Sequence, residues 1–154
     1  STLPPTDTPH AMTSHLLAFL LSAATTTTVL AQENTLQVDL AGIQHDRGSI
    51  RVGLYSDPKT FRKEAQAVAI QQVAAAPGTV TVDFTALPPG RYAIMAYHDE
   101  DGNGELNRRF GMFPTEAYGL SNNPSVSGPP AFEDSAFEVA GDAGTARISI
   151  DIRY

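Results

Sequence analysis

The sequence predicts an all-β fold, a single-domain antiparallel β-sandwich of about seven strands. Apolar and polar residues alternate at period two in several short runs, Gly- and Pro-rich turn signals separate those runs, and no long segment repeats at helical spacing. A chain of 154 residues, 42% hydrophobic and 18% charged, is long enough to bury one real core and hardly two.

Leu36, Val38 and Leu40 mark the first strand, and Ile50, Val52 and Leu54 the second. Val80, Val82 and Phe84 follow, with Thr81 and Asp83 directed outward. The clearest alternation is the last, where Ala146, Ile148, Ile150, Ile152 and Tyr154 oppose Arg147, Ser149, Asp151 and Arg153. Such patterns belong to sheets with one face in water. Arg91 to His98 differs: Tyr92, Ile94 and Ala96 alternate with Ala93, Met95 and Tyr97, so both faces are apolar and the strand is central. Ala67 to Ala74 and Ala131 to Val139 are weaker strand candidates, and Asp57 to Gln66, containing Pro58, suits a single helical turn. Turns fall at Asp46-Arg47-Gly48, Pro77-Gly78, Pro88-Pro89-Gly90 and Gly141-Asp142-Ala143-Gly144. The outline is immunoglobulin-like or transthyretin-like. Asn107 to Pro130 is Gly- and Pro-rich without a convincing strand, and loops of that length are functional or disordered. Its aromatics Phe110, Phe113 and Tyr118 predict an ordered loop folded back on the sandwich.

The N-terminal fifth divides differently. Residues 1–11, rich in Pro and Thr, carry no fold signal and read as upstream or expression-vector remnant. Residues 12–31 read as a signal peptide: Met12, an apolar run from Leu16 to Ala24, a threonine run, then Val29-Leu30-Ala31 at the cleavage positions. The apolar run is too short to span a bilayer, so no stable membrane insertion is expected after cleavage. The sandwich then occupies residues 32–154, and the expected location is periplasmic or secreted. The net charge of -7, with only 10 Lys and Arg, excludes a nucleic-acid partner, which would need a basic face. With no cysteine the chain has neither disulfides nor thiolate metal sites.

The segment Asp99-Glu100-Asp101-Gly102-Asn103-Gly104-Glu105-Leu106-Asn107 gathers acidic and amide oxygens at alternate positions around glycines, which is what a hard divalent cation such as calcium requires of a short loop. Asp99, Asp101 and Asn103 are the side-chain donors, Gly104 the bend, Glu105 a backbone-carbonyl donor, and Leu106 the anchor into the core. The pattern departs from a helix-loop-helix calcium loop in two ways. Position twelve, usually a bidentate glutamate, is Phe110, and a strand precedes the loop. The closing carboxylate must therefore come from elsewhere, with Glu116 first and Glu133 or Asp134 behind it, and affinity of the order of 10⁻⁴ to 10⁻³ M is expected. A solvated tight turn is the alternative, because Asp-Gly and Asn-Gly are also ordinary turn dipeptides.

A second candidate site uses Phe113, Tyr118, Ser121, Asn122 and Asn123, an aromatic surface with neutral donors and acceptors suited to a neutral small molecule or glycan. The same residues also suit plain turn material. Arg108 and Arg109 are placed to pair with the acidic loop. For catalysis, His98 beside Asp99, His45 beside Asp46, and Ser121 or Ser56 supply the right groups, yet nothing in the sequence places them together; a zinc site on His98 and His45 has the same weakness. Common hydrolase and transferase signatures are absent.

The runs Leu87-Pro88-Pro89-Gly90-Arg91-Tyr92-Ala93-Ile94, His98 to Leu106, and Gly111-Met112-Phe113-Pro114-Thr115-Glu116-Ala117-Tyr118-Gly119-Leu120-Ser121-Asn122-Asn123 resemble the bacterial secreted family catalogued as domain of unknown function 2141. The resemblance covers most of residues 32–154 and implies an exported β-sandwich of uncharacterised role; it supplies no activity. The expected function is a non-enzymatic, exported binding or accessory module with a calcium-stabilised loop. The alternative is a periplasmic small-molecule or carbohydrate-binding domain using loop 107–130.

Overall fold

The computed structural model describes residues 1–5, 34–142 and 144–154. Residues 1–5 form no regular element. The expected signal segment, 12–31, lies outside the described residues, as do 6–11. Among the described residues no helix is long and apolar enough to cross a membrane.

Residues 34–154 are mostly strand. In chain order they are β1 (Asn34–Ile43), β2 (Ser49–Tyr55), a 3-10 turn (Glu64–Gln66), β3 (Ala69–Ala74), β4 (Gly78–Leu87), β5 (Gly90–Asp99), β6 (Arg108–Arg109), β7 (Phe113–Pro114), β8 (Tyr118–Leu120), the one-turn helix α1 (Phe132–Ser135), β9 (Phe137–Val139) and β10 (Thr145–Asp151). One sheet has the order β10-β1-β4, a second β3-β2-β5-β8 with β9 also on β5, and β6-β7 form a separate hairpin. This is the expected sandwich-like arrangement. Pairing is antiparallel throughout except for β1 with β10, which run parallel from Thr35 opposite Thr145 to Ala41 opposite Asp151.

The period-two residues do what their pattern requires. Leu36, Val38 and Leu40 from β1, Phe84 from β4 and Ile150 from β10 meet Ile50, Val52, Leu54, Ile94 and Ala96 from the facing sheet in one buried cluster. At about 25 cal/mol per Å² of apolar surface removed from water, this cluster is the main stabilising term. β5 is central as expected: β2, β8 and β9 all pair with it. Its other face holds a second cluster of Ala93 and Met95 with Tyr55, Phe61, Leu120 and Phe132, against which Leu106 and Tyr118 pack. The molecule therefore has a third, thinner layer made of loops.

That layer corrects two expectations. Asn107 to Pro130 is not strandless, since it contains β6, β7 and β8, and β8 joins the main sheet opposite Met95, Ala96 and Tyr97. Of its aromatics only Tyr118 folds back onto the sandwich, while Phe110 is 82% and Phe113 61% exposed. Likewise Ala131 to Val139 divides into α1 and the three-residue β9.

Candidate functional site

β5 delivers consecutive side chains to opposite faces, as any strand must, and its end is where chemistry begins. His98 closes the inner face. Its Nε2 lies 2.6 Å from the Arg47 carbonyl and its Nδ1 2.6 Å from the Tyr154 hydroxyl. Because a carbonyl only accepts, the Nε2–H tautomer satisfies this arrangement: Nδ1 accepts from the Tyr154 hydroxyl, which in turn accepts from the Gln44 amide at 3.2 Å. The His45 ring lies beside it, centroids 4.4 Å apart, and its Nε2 is 2.8 Å from Glu100 Oε1. The structure thus brings together two imidazoles that the sequence left apart. His45, His98 and Glu100 each offer a ligand atom within 4.8 Å of one another, and both nitrogens of His98 are hydrogen-bonded.

Asp99 closes the outer face and turns into the loop, only 1% exposed. The amides of Asn103 and Gly104 donate to its two carboxylate oxygens at 3.1 and 2.9 Å. The chain can fold back this tightly because Gly104 adopts φ +77°, a left-handed conformation that side chains disfavour. Asn107 joins the turn from its far end, its Nδ2 donating to Asp101 Oδ2 at 2.7 Å and its Oδ1 accepting from Asn103 Nδ2 at 2.6 Å. That bond from Asn107 is the main reason the Asp101 carboxyl lies below its ordinary value. On the opposite side, Gly48 admits the chain: a Cβ there would lie 2.0 Å from the Asp99 carbonyl oxygen.

Glu116, first among the expected closing carboxylates, is placed beside this turn. It is 8% exposed and accepts the amides of Glu100 and Asn107, each at 3.0 Å. Carboxylate oxygens of Asp99, Asp101 and Glu116 lie within 4.8 Å of one another. Glu133 is elsewhere, paired with Arg91, and the Asp134 carbonyl faces Asn122. The Asn103 side-chain oxygen accepts the Glu105 amide at 2.9 Å, while the Glu105 side chain is exposed. Glu100, inside the acidic run, leaves the cluster for His45 and Arg47. Among the described residues neither Arg108 nor Arg109 forms an ion pair with the loop; the Arg109 guanidinium stands 6.0 Å from the Phe110 ring centre.

The second candidate set is divided by the fold. Ser121 is buried, accepting the Ile94 amide at 2.9 Å and donating to the Ser135 carbonyl. Asn122 donates to the Ala136 carbonyl at 2.8 Å, and Asn123 accepts the Asp151 amide at 2.8 Å. These polar groups fasten the long loop to α1 and β10, with Asn122 itself exposed. Phe113 and Tyr118 instead meet around a cavity of about 570 Å³, with Met95, Leu106 and Met112 in its walls. Arg62, which sequence reasoning passed over, lines it too; a lone arginine in a turn gives no sequence signal.

A β-sandwich whose central strand ends in a carboxylate-rich turn, covered by a loop layer with a cavity beneath, is the class that fold and site define. The chain belongs to the bacterial family described as "Uncharacterized protein conserved in bacteria (DUF2141)", whose model matches residues 38–147. No curated protein and no solved structure matches it.

Proposed function

We propose that this is an exported, non-enzymatic binding or accessory module of the periplasm or cell envelope whose acidic turn takes up calcium and is fixed by it. One observation carries the reading: Asp99, Asp101 and Glu116, the last from beyond the β6–β7 hairpin, converge within 4.8 Å, and no basic side chain is paired with any of them among the described residues. Like charges at about 4 Å repel by roughly 4 kcal/mol at an effective dielectric of 20. Hydrogen bonds from four backbone amides and from the Asn107 side chain offset part of that. Each carboxylate oxygen keeps a further lone pair, and a divalent ion supplies the missing positive charge. Bound only by the folded chain, the ion adds stability with its saturation. Millimolar calcium is expected to raise the melting temperature, and the Asp99→Ala, Asp101→Ala double variant to abolish the rise. An unresponsive wild type overturns the metal role.

A second reading, a small-molecule site along residues 107–130, is favoured by the cavity at Phe113 and Tyr118. Small-molecule sites range over about 300–1,000 Å³.

A further inference from the structure

We propose that this cavity binds a small amphipathic carboxylate, an apolar body with one anionic head of the free fatty-acid type. The inference rests on the small-molecule reading just given and adds the chemistry of the ligand.

One side of the cavity is apolar. Met112 and Phe113, 69% and 61% exposed, line it together with Met95, Tyr118 and Val126. Apolar surface left open to this extent is stabilised by covering it. The other end is cationic. Arg62 and Arg108 line both this cavity and an adjoining one of about 210 Å³, so both stand where the two meet. Among the described residues neither guanidinium has an ion pair or a side-chain hydrogen bond, and Arg62 Nε is buried without a partner. That nitrogen is enclosed, so a ligand in the cavity meets the two Nη groups of Arg62. Arg62 also holds φ +69°, a costly conformation for a long side chain, which points to a positioned group.

A carboxylate meets this arrangement directly, since a guanidinium donates two parallel hydrogen bonds to it. Glu64 in the adjoining cavity does not compete, because Arg51 and the Tyr97 hydroxyl already engage its two oxygens. Glu105, also there, is exposed to water. A glycan is the weaker fit: the walls are largely apolar, and Ser121, Asn122 and Asn123 are tied to backbone.

Calorimetric titration of the full chain with decanoate and with decanol, both below their aggregation limits, tests this. Decanoate is expected to bind one to one, and decanol about tenfold more weakly. Arg62→Gln and Arg108→Gln should each weaken decanoate about tenfold and leave decanol unchanged. Phe113→Ser should weaken both ligands. Arg108 is exposed, so its variant reports on the proposal even if Arg62→Gln fails to fold. Equal binding of decanoate and decanol overturns the carboxylate and leaves a small-molecule site standing. Binding of neither overturns both. Sedimentation with neutral phosphatidylcholine vesicles, unaffected by Arg62→Gln, would assign the exposed hairpin to a membrane surface. A dimer that Phe113→Ser dissociates would assign it to a second copy, and either result overturns the proposal.

Discussion

The two faces of β5 have the same backbone and opposite uses. Inward, Tyr92, Ile94, Ala96 and His98 lie among residues of both sheets, and even the histidine at the end is hydrogen-bonded at both nitrogens. Outward, Ala93, Met95, Tyr97 and Asp99 start in a small apolar cluster, pass two cavities and end in the acidic turn. Packing by a second sheet fills the inner face, and polar groups gather there only at its end, around His98, His45 and Glu100. Covering by loops and the short helix α1 leaves the outer face with cavities and charges, and there both candidate sites lie.

The comparison breaks first on truncation. Ile94→Ala empties a fully enclosed site and is expected to cost about 2–5 kcal/mol, read by urea denaturation. Met95→Ala, next to it but bordering a cavity, should cost clearly less, because its site is already incompletely packed. Equal losses would mean that the outer layer is as well packed as the inner one.

A smaller effect sharpens the outer face by pH. Burial, with the Glu64 carboxylate adding to it, pushes the Tyr55 phenol from 10.0 up to about 12. A phenol held neutral by the fold contributes stability that is complete below pH 10 and lost as pH rises towards 12. Tyr55→Phe should reduce that alkaline loss without removing it, because burial also raises Tyr92, Tyr97 and Tyr154. The smallest effect belongs to the wet side of the three-stranded sheet. Bonds from Arg147 first and Thr81 second hold the Asp39 carboxyl below its ordinary value of 3.8. The contribution is present above that pH and lost as pH falls below it. Arg147→Gln should weaken this acid sensitivity and change stability at neutral pH within measurement error, as for other exposed ion pairs.

Most of the inner face was legible in the sequence. Alternation depends on which side chains water can reach, so Leu36 to Leu40, Ile50 to Leu54 and Ala146 to Ile152 announce their own strands, and the doubly apolar run at β5 announces its place. The acidic turn was legible for the same local reason. Glu116 was reachable only by asking which acid could close the ring. What escaped depends on contacts distant in sequence. β8 is three residues including Gly119, too short to show a period, and it is a strand only because β5 and the Tyr118–Arg153 bridge hold it. Asn122 and Asn123 have the composition of a free polar patch, yet positive φ angles of 66° and 47° turn their amides onto neighbouring backbone. The significance of Arg62 exists only once a cavity forms around it.

The parallel pairing of β1 with β10 has a consequence for how the chain reaches this state. β1 is the middle strand of its sheet, and one of its two partners is the last strand described. A nascent or truncated chain ending before Thr145 would present β1 with one row of amides and carbonyls unpaired, an invitation to a strand from another molecule. Folding must join segments more than a hundred residues apart before that border is sealed, which favours slow acquisition of structure and makes the final strand the seal of the whole domain.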